Sequence, residues 1–194
     1  MSKRIVLLSA AAVSALALTA AAVAPVSAQD KMMKSEMSGE KTVMVGGAAM
    51  FPSKNIVQNA VNSKDHTTLV AAVKAAGLVD TLEGKGPFTV FAPTNTAFGK
   101  LPAGTVDNLV KPENKKTLTK ILTYHVVPGK LEASSLTDGK KLKTVEGEEL
   151  TVKKSGDSVM IVDAKGGSST VTISNVNQSN GVIHVVDTVL MPAS

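Results

Sequence analysis

The strongest constraint on the fold of this 194-residue chain is a change of hydrophobic period near Pro128 and Gly129. Before this point, apolar residues recur at helical spacing; Leu69, Val73 and Ala76, for example, lie at i, i+4 and i+7. After it, apolar and polar residues alternate in short runs separated by turn-forming residues, which is the pattern of strands joined by tight turns. Helices first and strands later predict an α+β domain rather than a parallel βαβ fold.

Five runs in the second half predict strands: residues 142–145, 150–153, 159–162, 171–173 and 182–190. The dipeptide Asn180-Gly181 favours positive φ at both central positions of a type I′ turn, so the last two strands should pair as an antiparallel hairpin. Residues 88–91 form an earlier strand with apolar groups on both faces, which is typical of a central strand. Pro93 should end it, and Thr94 should cap the helix that follows.

Three longer helices are predicted in the first half. One contains Ile56, and a second is capped by Thr67 and ended by Gly77. The third opens at Pro112 and places Leu118 on its apolar face. These helices need a sheet to cover, and the later strands would supply it.

The first 28 residues have the three parts of a cleavable export signal. Basic Lys3 and Arg4 precede an apolar stretch, and the small residues 26–28 form a processing site. We predict a signal peptide at residues 1–28 in preference to a membrane anchor, because the apolar stretch is rich in Ala and Ser. The protein is therefore expected in the periplasm, at the cell surface or in the medium.

Residues 29–50 are polar, rich in Lys and Met, and predicted to form a flexible tail, with one domain at residues 51–192. The methionines of this tail could hold Cu(I) as soft ligands, although a plain spacer is the simpler interpretation. After residue 28, no window approaches the roughly 20 apolar residues of a spanning helix, so we expect no membrane span in the mature chain.

Composition excludes several function classes. The chain has no cysteine, so an exported domain must be stable without disulfides. Arg4 is its only arginine, which leaves the mature protein without a guanidinium for bidentate phosphate or base contacts. Four Phe and one Tyr make no obvious stacking platform for bases. Nucleic acid is therefore not an expected partner.

Three blocks go beyond periodicity. Residues 86–98 read G-P-F-T-V-F-A-P-T-N-T-A-F, residues 124–129 read Y-H-V-V-P-G, and residues 180–192 read N-G-V-I-H-V-V-D-T-V-L-M-P. The first and last resemble the two signature blocks of the fasciclin family, and the middle block resembles its tyrosine-histidine segment. Their order and spacing match that family over residues 55–191.

The resemblance implies a wedge-shaped fold of about seven mostly antiparallel strands packed with several helices, used in adhesion and surface interactions. It suggests Asn95, Tyr124 and His125 as residues that contact a partner, although Asn95 stands where many relatives have Asp. The partner would be a surface protein, a matrix component or a polysaccharide. We assign structural roles to the other motif residues, which are Phe88, Phe91, Pro93, Thr94, Phe98, Gly181, His184 and Asp187.

The three histidines, His66, His125 and His184, are the best candidates for chemistry. None has metal-ligand spacing with another, so we predict no metal site and no cofactor. His125 follows Tyr124 beside a Pro-Gly turn, which makes it the strongest functional candidate, but a hydrogen-bonded structural histidine fits the same position. In the last strand, His184 and Asp187 should lie inside or at a rim, where each needs a partner.

Three function classes remain from the sequence. The first is a non-catalytic adhesion or surface-interaction module, and the second is a periplasmic carrier that holds a lipid, pigment or haem between helices and sheet. The third, a hydrolase, lacks a nucleophile elbow and a matching base. We therefore predict a binding module that is not an enzyme.

Overall fold

The computed structural model describes residues 41–193, so the predicted signal peptide and residues 29–40 of the predicted tail lie outside the described residues. Ordered structure begins before residue 51. Strands β1 (Val43–Val45) and β2 (Ala48–Met50) form an antiparallel hairpin, and Val45 and Met50 are buried in the core. Residues 43–50 therefore pack with the domain, on the N-terminal side of the boundary predicted at residue 51.

Six α-helices lie in the first half of the domain, four of them where the sequence predicts a helix. They are α1 (Ile56–Ala60), α2 (Thr67–Ala76), α3 (Val79–Glu83), α4 (Asn95–Gly99), α5 (Thr105–Leu109) and α6 (Lys115–Tyr124). Short 3₁₀ turns occupy Lys64–His66, Pro112–Asn114 and Ala133–Ser135. Asn55 begins α1 with a capping box that includes Gln58, and Gly77 ends α2 at a φ of 72°.

Seven strands form the main sheet: β3 (Phe88–Pro93), β4 (Val126–Pro128), β5 (Lys141–Lys143), β6 (Glu149–Ser155), β7 (Ser158–Val162), β8 (Ser168–Gln178) and β9 (Gly181–Val186). Their order is β4-β3-β9-β8-β7-β6-β5, and only the β3–β9 pair among them is parallel. The Val145 amide, just after β5, donates to the Val126 carbonyl of β4, so the two sheet edges approach each other. This near-barrel sheet with helices confirms the predicted α+β class.

Strand β3 separates two apolar clusters, as its two apolar faces predicted. Val90 and Ala92 belong to the cluster shared with helices α1, α2, α4 and α6, which we call the helix core. Phe91 belongs to the second cluster, which we call the sheet core because most of its members lie on strands. The sheet core consists of Phe91, Tyr124, Val127, Leu136, Leu142, Leu150, Val152, Val159, Ile161, Val186 and Leu190.

The last hairpin is present as predicted, but its turn is different. Gln178 pairs with Gly181, so the two loop residues are Ser179 and Asn180, and neither has a positive φ. The type I′ assignment is therefore wrong. Gly181 is needed for another reason: a Cβ added there would collide with the Phe88 carbonyl of β3.

Candidate functional site

Tyr124 and His125, the best functional candidates of the sequence, lie at the end of α6 and point into the domain. The Tyr124 hydroxyl accepts a hydrogen bond from the Ala164 amide at 2.9 Å and donates to the Glu149 carbonyl at 3.3 Å. Tyr124 is 0% exposed. Burial raises the pKa of its phenol, so the group stays protonated and joins the end of α6 to the start of β6 and to the turn after β7.

His125 is 2% exposed and uses both ring nitrogens. Nδ1 donates to the Ile121 carbonyl at 2.8 Å, and Nε2 accepts from the Leu190 amide at 3.0 Å. This pattern requires the neutral ring. Complete burial lowers the pKa of His125 to about 4, so it is uncharged at neutral pH.

The side-chain amide of Asn95, the third residue assigned to partner binding, forms hydrogen bonds with residues at the start of α2 and just before it. Oδ1 accepts from the Thr68 amide at 3.0 Å and from the Thr67 hydroxyl at 3.1 Å, and Nδ2 donates to the Lys64 carbonyl at 2.8 Å. Asn95 thus serves the start of α2 as a cap from outside the helix. Thr67 is the first residue of α2 and not its N-cap, which corrects our assignment by one residue.

In the described structure these three side chains bond within the domain, and of the three Asn95 is the one that is partly exposed. Tyr124 and His125 are buried, and every polar atom of the Asn95 amide is bonded within the domain. A partner that docks on this conformation would not contact Tyr124 or His125. The geometry instead supports the structural interpretation of His125 that the sequence left open.

His184 and Asp187 each have their own hydrogen-bond partners, as the pattern of the last strand predicted. His184 is fully buried, its Nε2 lies 2.8 Å from the Leu131 carbonyl, and its ring stacks on Phe91 with centroids 5.7 Å apart. Burial lowers the pKa of His184. Asp187 accepts from the Thr170 amide at 2.8 Å. Partial burial is the largest single influence and opposes its ionisation, but the bonds from Thr170 and Thr188 and the charge of Lys100 together hold the pKa of Asp187 below its ordinary value.

The remaining motif residues build the junction between β3 and α4. Pro93 is the last residue of β3, and Thr94 caps α4 by accepting from the Ala97 amide at 3.2 Å, as predicted. Phe98 is buried in the helix core. Phe88 is half-buried against the same cluster. These contacts account for the first signature block as scaffold.

One polar residue that the sequence did not single out, Asn180, is central to the structure. Asn180 is buried, its Oδ1 accepts from the Ile56 amide at 3.1 Å, and its Nδ2 donates to the Leu82 and Gly84 carbonyls at 2.7 and 3.1 Å. One side chain therefore ties α1 and α3 to the β8–β9 turn. The only sequence sign was an Asn in a turn, which we explained by backbone conformation alone.

Ser63 and His66 form a buried pair that the sequence also did not suggest. The Ser63 hydroxyl lies 2.9 Å from His66 Nδ1, and the residues are 1% and 3% exposed. His66 Nε2 makes no hydrogen bond of normal geometry within residues 41–193. Burial lowers the pKa of His66. A nucleophilic serine must be reached by its substrate, and here the Gly46 turn of the β1–β2 hairpin packs directly on the Ser63 hydroxyl.

No cluster of three or more His, Cys, Asp or Glu side chains that could hold a metal ion occurs within residues 41–193. Within the same residues, no helix is long and apolar enough to cross a bilayer; the longest have ten residues.

Comparison with known proteins defines the class of protein to which this fold belongs. The Fasciclin domain profile matches residues 64–192, which is more than half of the chain. This chain belongs to the fasciclin domain family. The resemblance of the three sequence blocks is thereby confirmed.

Several curated relatives are similar over most of the domain. Protein sll1483 of Synechocystis sp. is 50% identical over 153 residues, which cover 79% of this chain and 82% of that protein. Immunogenic protein MPB70 of Mycobacterium bovis is 40% identical over 138 residues, covering 69% of this chain and 66% of the relative. Cell surface glycolipoprotein MPB83 of the same species is 39% identical over 153 residues, covering 76% and 64%.

A solved structure of a FAS1 domain pair, from the insect cell adhesion molecule Fasciclin I, has the same fold. The TM-score is 0.65 at 18% sequence identity, and the match covers 73% of this chain. It covers 52% of the solved chain, so this chain spans about half of the domain pair. At this identity the likeness concerns the fold alone.

Proposed function

We propose that the protein is an exported, non-catalytic module that binds a component of a cell surface or matrix through its outer surface. The observation that carries the proposal is the burial of the side chains best suited to catalysis. His66, His125, His184 and Tyr124 are all buried. General acid–base and nucleophilic catalysis both need a reactive side chain within reach of a substrate. In this arrangement none of these four side chains is exposed to one.

The relatives support a surface role. One similar protein is a cell surface glycolipoprotein, and the domain pair with the same fold comes from a cell adhesion molecule. We extend this location and role to the present chain. The predicted export signal at residues 1–28 is consistent with the same location.

The carrier alternative has weaker support. An apolar cavity does lie between the β1–β2 hairpin, α1–α3 and the sheet, and it is lined by Met50, Val57, Leu69, Val73 and neighbouring residues. Its volume is about 50 Å³. An engineered apolar cavity that admits benzene measures about 150 Å³, so this one is too small for a lipid, pigment or haem in the described conformation.

A co-sedimentation assay tests the proposed role. The purified protein is mixed with washed cells, or with insoluble wall material, from the organism that makes it, and the bound fraction is measured against protein concentration. We expect saturable binding that is lost when the protein is thermally unfolded. Binding no greater than that of an unrelated protein of similar charge would contradict a surface-interaction role.

A separate assay tests the non-catalytic part of the proposal. Simple chromogenic esters are incubated with the protein and with Ser63→Ala, which removes the hydroxyl of the buried Ser–His pair. We expect both to match the rate in buffer alone. Hydrolysis by the parent protein that Ser63→Ala abolishes would show that the pair becomes accessible and acts as a nucleophile.

A further inference from the structure

An open concavity of about 210 Å³ lies beside the β6–β7 turn, where β8 passes the 3₁₀ turn Ala133–Ser135. Four of its lining residues are polar: Ser134, Lys154, Asp157 and Ser174. Within residues 41–193, none of these four side chains has a hydrogen bond or ion pair. The concavity therefore gathers polar side chains that the fold itself does not use.

The wall that carries Ser134 is held by bonds on both sides of it. The Ala133 amide donates to Asn175 Oδ1 at 2.7 Å, and Lys140 Nζ donates to the Ser135 carbonyl at 2.7 Å. Asn175 adopts a φ of 58°, which is uncommon for a residue other than glycine. The backbone on both sides of Ser134 is thus fixed, while its hydroxyl has no hydrogen bond within residues 41–193 and can bond a ligand.

The opposite wall is set by an irregularity in β8. The pairing register with β9 shifts between Ile173 and Val176, so Ser174 and Asn175 lie in a bulge. Bulges re-aim side chains, and here Ser174 becomes part of the lining. On the β6 side, the Lys154 amide donates to the Asp138 carboxylate at 2.8 Å, which fixes the backbone of that lining residue.

The apolar part of the lining is formed by Ala133, Val159 and Val171. Val159 belongs to the sheet core, and Val171 packs against it. Hydroxyl, ammonium and carboxylate groups around an apolar surface suit a ligand that carries several hydroxyls and also presents C–H groups. Lys154 and Asp157 carry opposite charges, so the lining has no net charge to attract an anion.

We propose that this concavity binds one neutral hexose unit of a surface polysaccharide. The inference rests on the proposed function and names the class of its partner. Serine hydroxyls and the Asp157 carboxylate accept from sugar hydroxyls, Lys154 donates to them, and the valines contact the C–H face of the ring. The site is open and has no aromatic lining residue, so the Kd for a short oligosaccharide lies in the millimolar range and avidity comes from repeated units.

Amide chemical shifts of the ¹⁵N-labelled protein test this site directly. The probes are the neutral trisaccharides of glucose, galactose and mannose, with glucuronate as a charged sugar and glycine as a small zwitterion. We expect at least one trisaccharide to shift the resonances of residues 133–134, 154–159 and 171–174. The proposal is overturned if all three leave these resonances unmoved, or if glucuronate or glycine shifts them more strongly.

A charge-conserving double variant, Lys154→Ala with Asp157→Ala, tests the lining. Both side chains are exposed, so the fold should be retained, which the melting temperature verifies. We expect binding of the active trisaccharide to weaken at least tenfold. The matched control is Lys153→Ala, which removes an exposed lysine that does not line the concavity, and it should bind like the parent. Equal affinity in the double variant and the parent would overturn the assignment.

Different results would contradict the hexose site and the surface role. Binding to cells or wall material together with silent hexose titrations would leave the surface role intact and remove this site. Absence of any binding to cells or wall material would contradict the surface role itself.

Discussion

The helix core and the sheet core differ in how completely they are packed. In the sheet core, Leu150, Val152 and Ile161 are all 0% exposed, and the buried Tyr124 hydroxyl has two hydrogen bonds. The helix core lies against a cavity of about 50 Å³ and beside a His66 nitrogen without a normal hydrogen bond. The sheet core is therefore the more completely packed of the two, and the helices cover the sheet less tightly.

Two leucine truncations, one in each core, compare the packing of the sheet core with that of the helix core and give the largest predicted losses of stability. Leu150→Ala should lower the free energy of unfolding by about 4 kcal/mol, because the space it leaves is enclosed on all sides. Leu69→Ala should cost less, about 3 kcal/mol, because Leu69 already borders a cavity and loses fewer contacts. Urea unfolding of both variants measures the two losses. Equal losses, or a larger one for Leu69→Ala, would show that the helix core is not the looser one.

Acidification tests the contribution of His125, which lies between the two cores: it follows Tyr124 of the sheet core and also lines the helix-side cavity. Its folded pKa of about 4 lies below the ordinary value of 6.5, so between these pH values the unfolded chain binds more protons. Stability is therefore retained above pH 6.5 and lost as the pH falls towards 4, at about 1.4 kcal/mol per pH unit and about 3 kcal/mol in all.

Urea unfolding across this pH range checks the His125 contribution, with His125→Gln as the variant that removes the titrating group. The slope of stability against pH should be smaller in the variant. The lowered pKa values of His66 and His184 act in the same direction and should leave a residual slope. Identical slopes in parent and variant would mean that His125 is not buried in its neutral form.

Asn180→Ala tests how the helices are held on the sheet. The change leaves the Ile56 amide and the Leu82 and Gly84 carbonyls without their partner, and we expect a loss of about 2.5 kcal/mol. The matched control is Ser179→Ala, the exposed neighbour in the same turn, which should change stability by less than about 0.5 kcal/mol. Similar losses in the two variants would attribute the effect to the turn and not to the contacts of Asn180.

Tyr124→Phe has the smallest expected effect of the four and isolates one hydroxyl of the sheet core. The ring stays in place, but the Ala164 amide loses its acceptor, so we expect a loss of about 1.5 kcal/mol. Thermal unfolding measures it, and Tyr124→Leu should cost more because the ring is also lost. A neutral Tyr124→Phe substitution would show that water satisfies the Ala164 amide as well as the phenol does.

Local patterns in the sequence predicted much of the fold. The end of α2 at Gly77, the cap at Thr94 and the central position of β3 follow from backbone conformation, capping and apolar faces, which neighbouring residues determine. The parallel pairing of β3 with β9 did not follow, because it joins residues about ninety positions apart. The change of hydrophobic period predicted the α+β class, whereas the seven-stranded sheet was implied only by the family resemblance.

Short elements were missed for a different reason. Strands β1, β2 and β4 have three residues each, which is too few to establish an alternating period. The Gly46-Gly47 dipeptide between β1 and β2 is nevertheless a hairpin signal that could have extended the domain beyond its predicted start. Burial also could not be read from a motif. The family resemblance suggested Tyr124 and His125, and His125 also lies beside a Pro-Gly turn, whereas the Ala164 and Leu190 amides that bond them lie 40 and 65 residues further along the chain.

We propose that the buried polar residues hold the domain together and that its exterior does the binding. A paired measurement on His125→Ala tests it most directly: the melting temperature of the variant, and its binding to the cell-surface material well below that temperature. We predict a clearly lowered melting temperature with binding per folded molecule unchanged, because His125 is 2% exposed and bonded on both nitrogens. Lost binding at an unchanged melting temperature would contradict the claim and assign His125 to the partner.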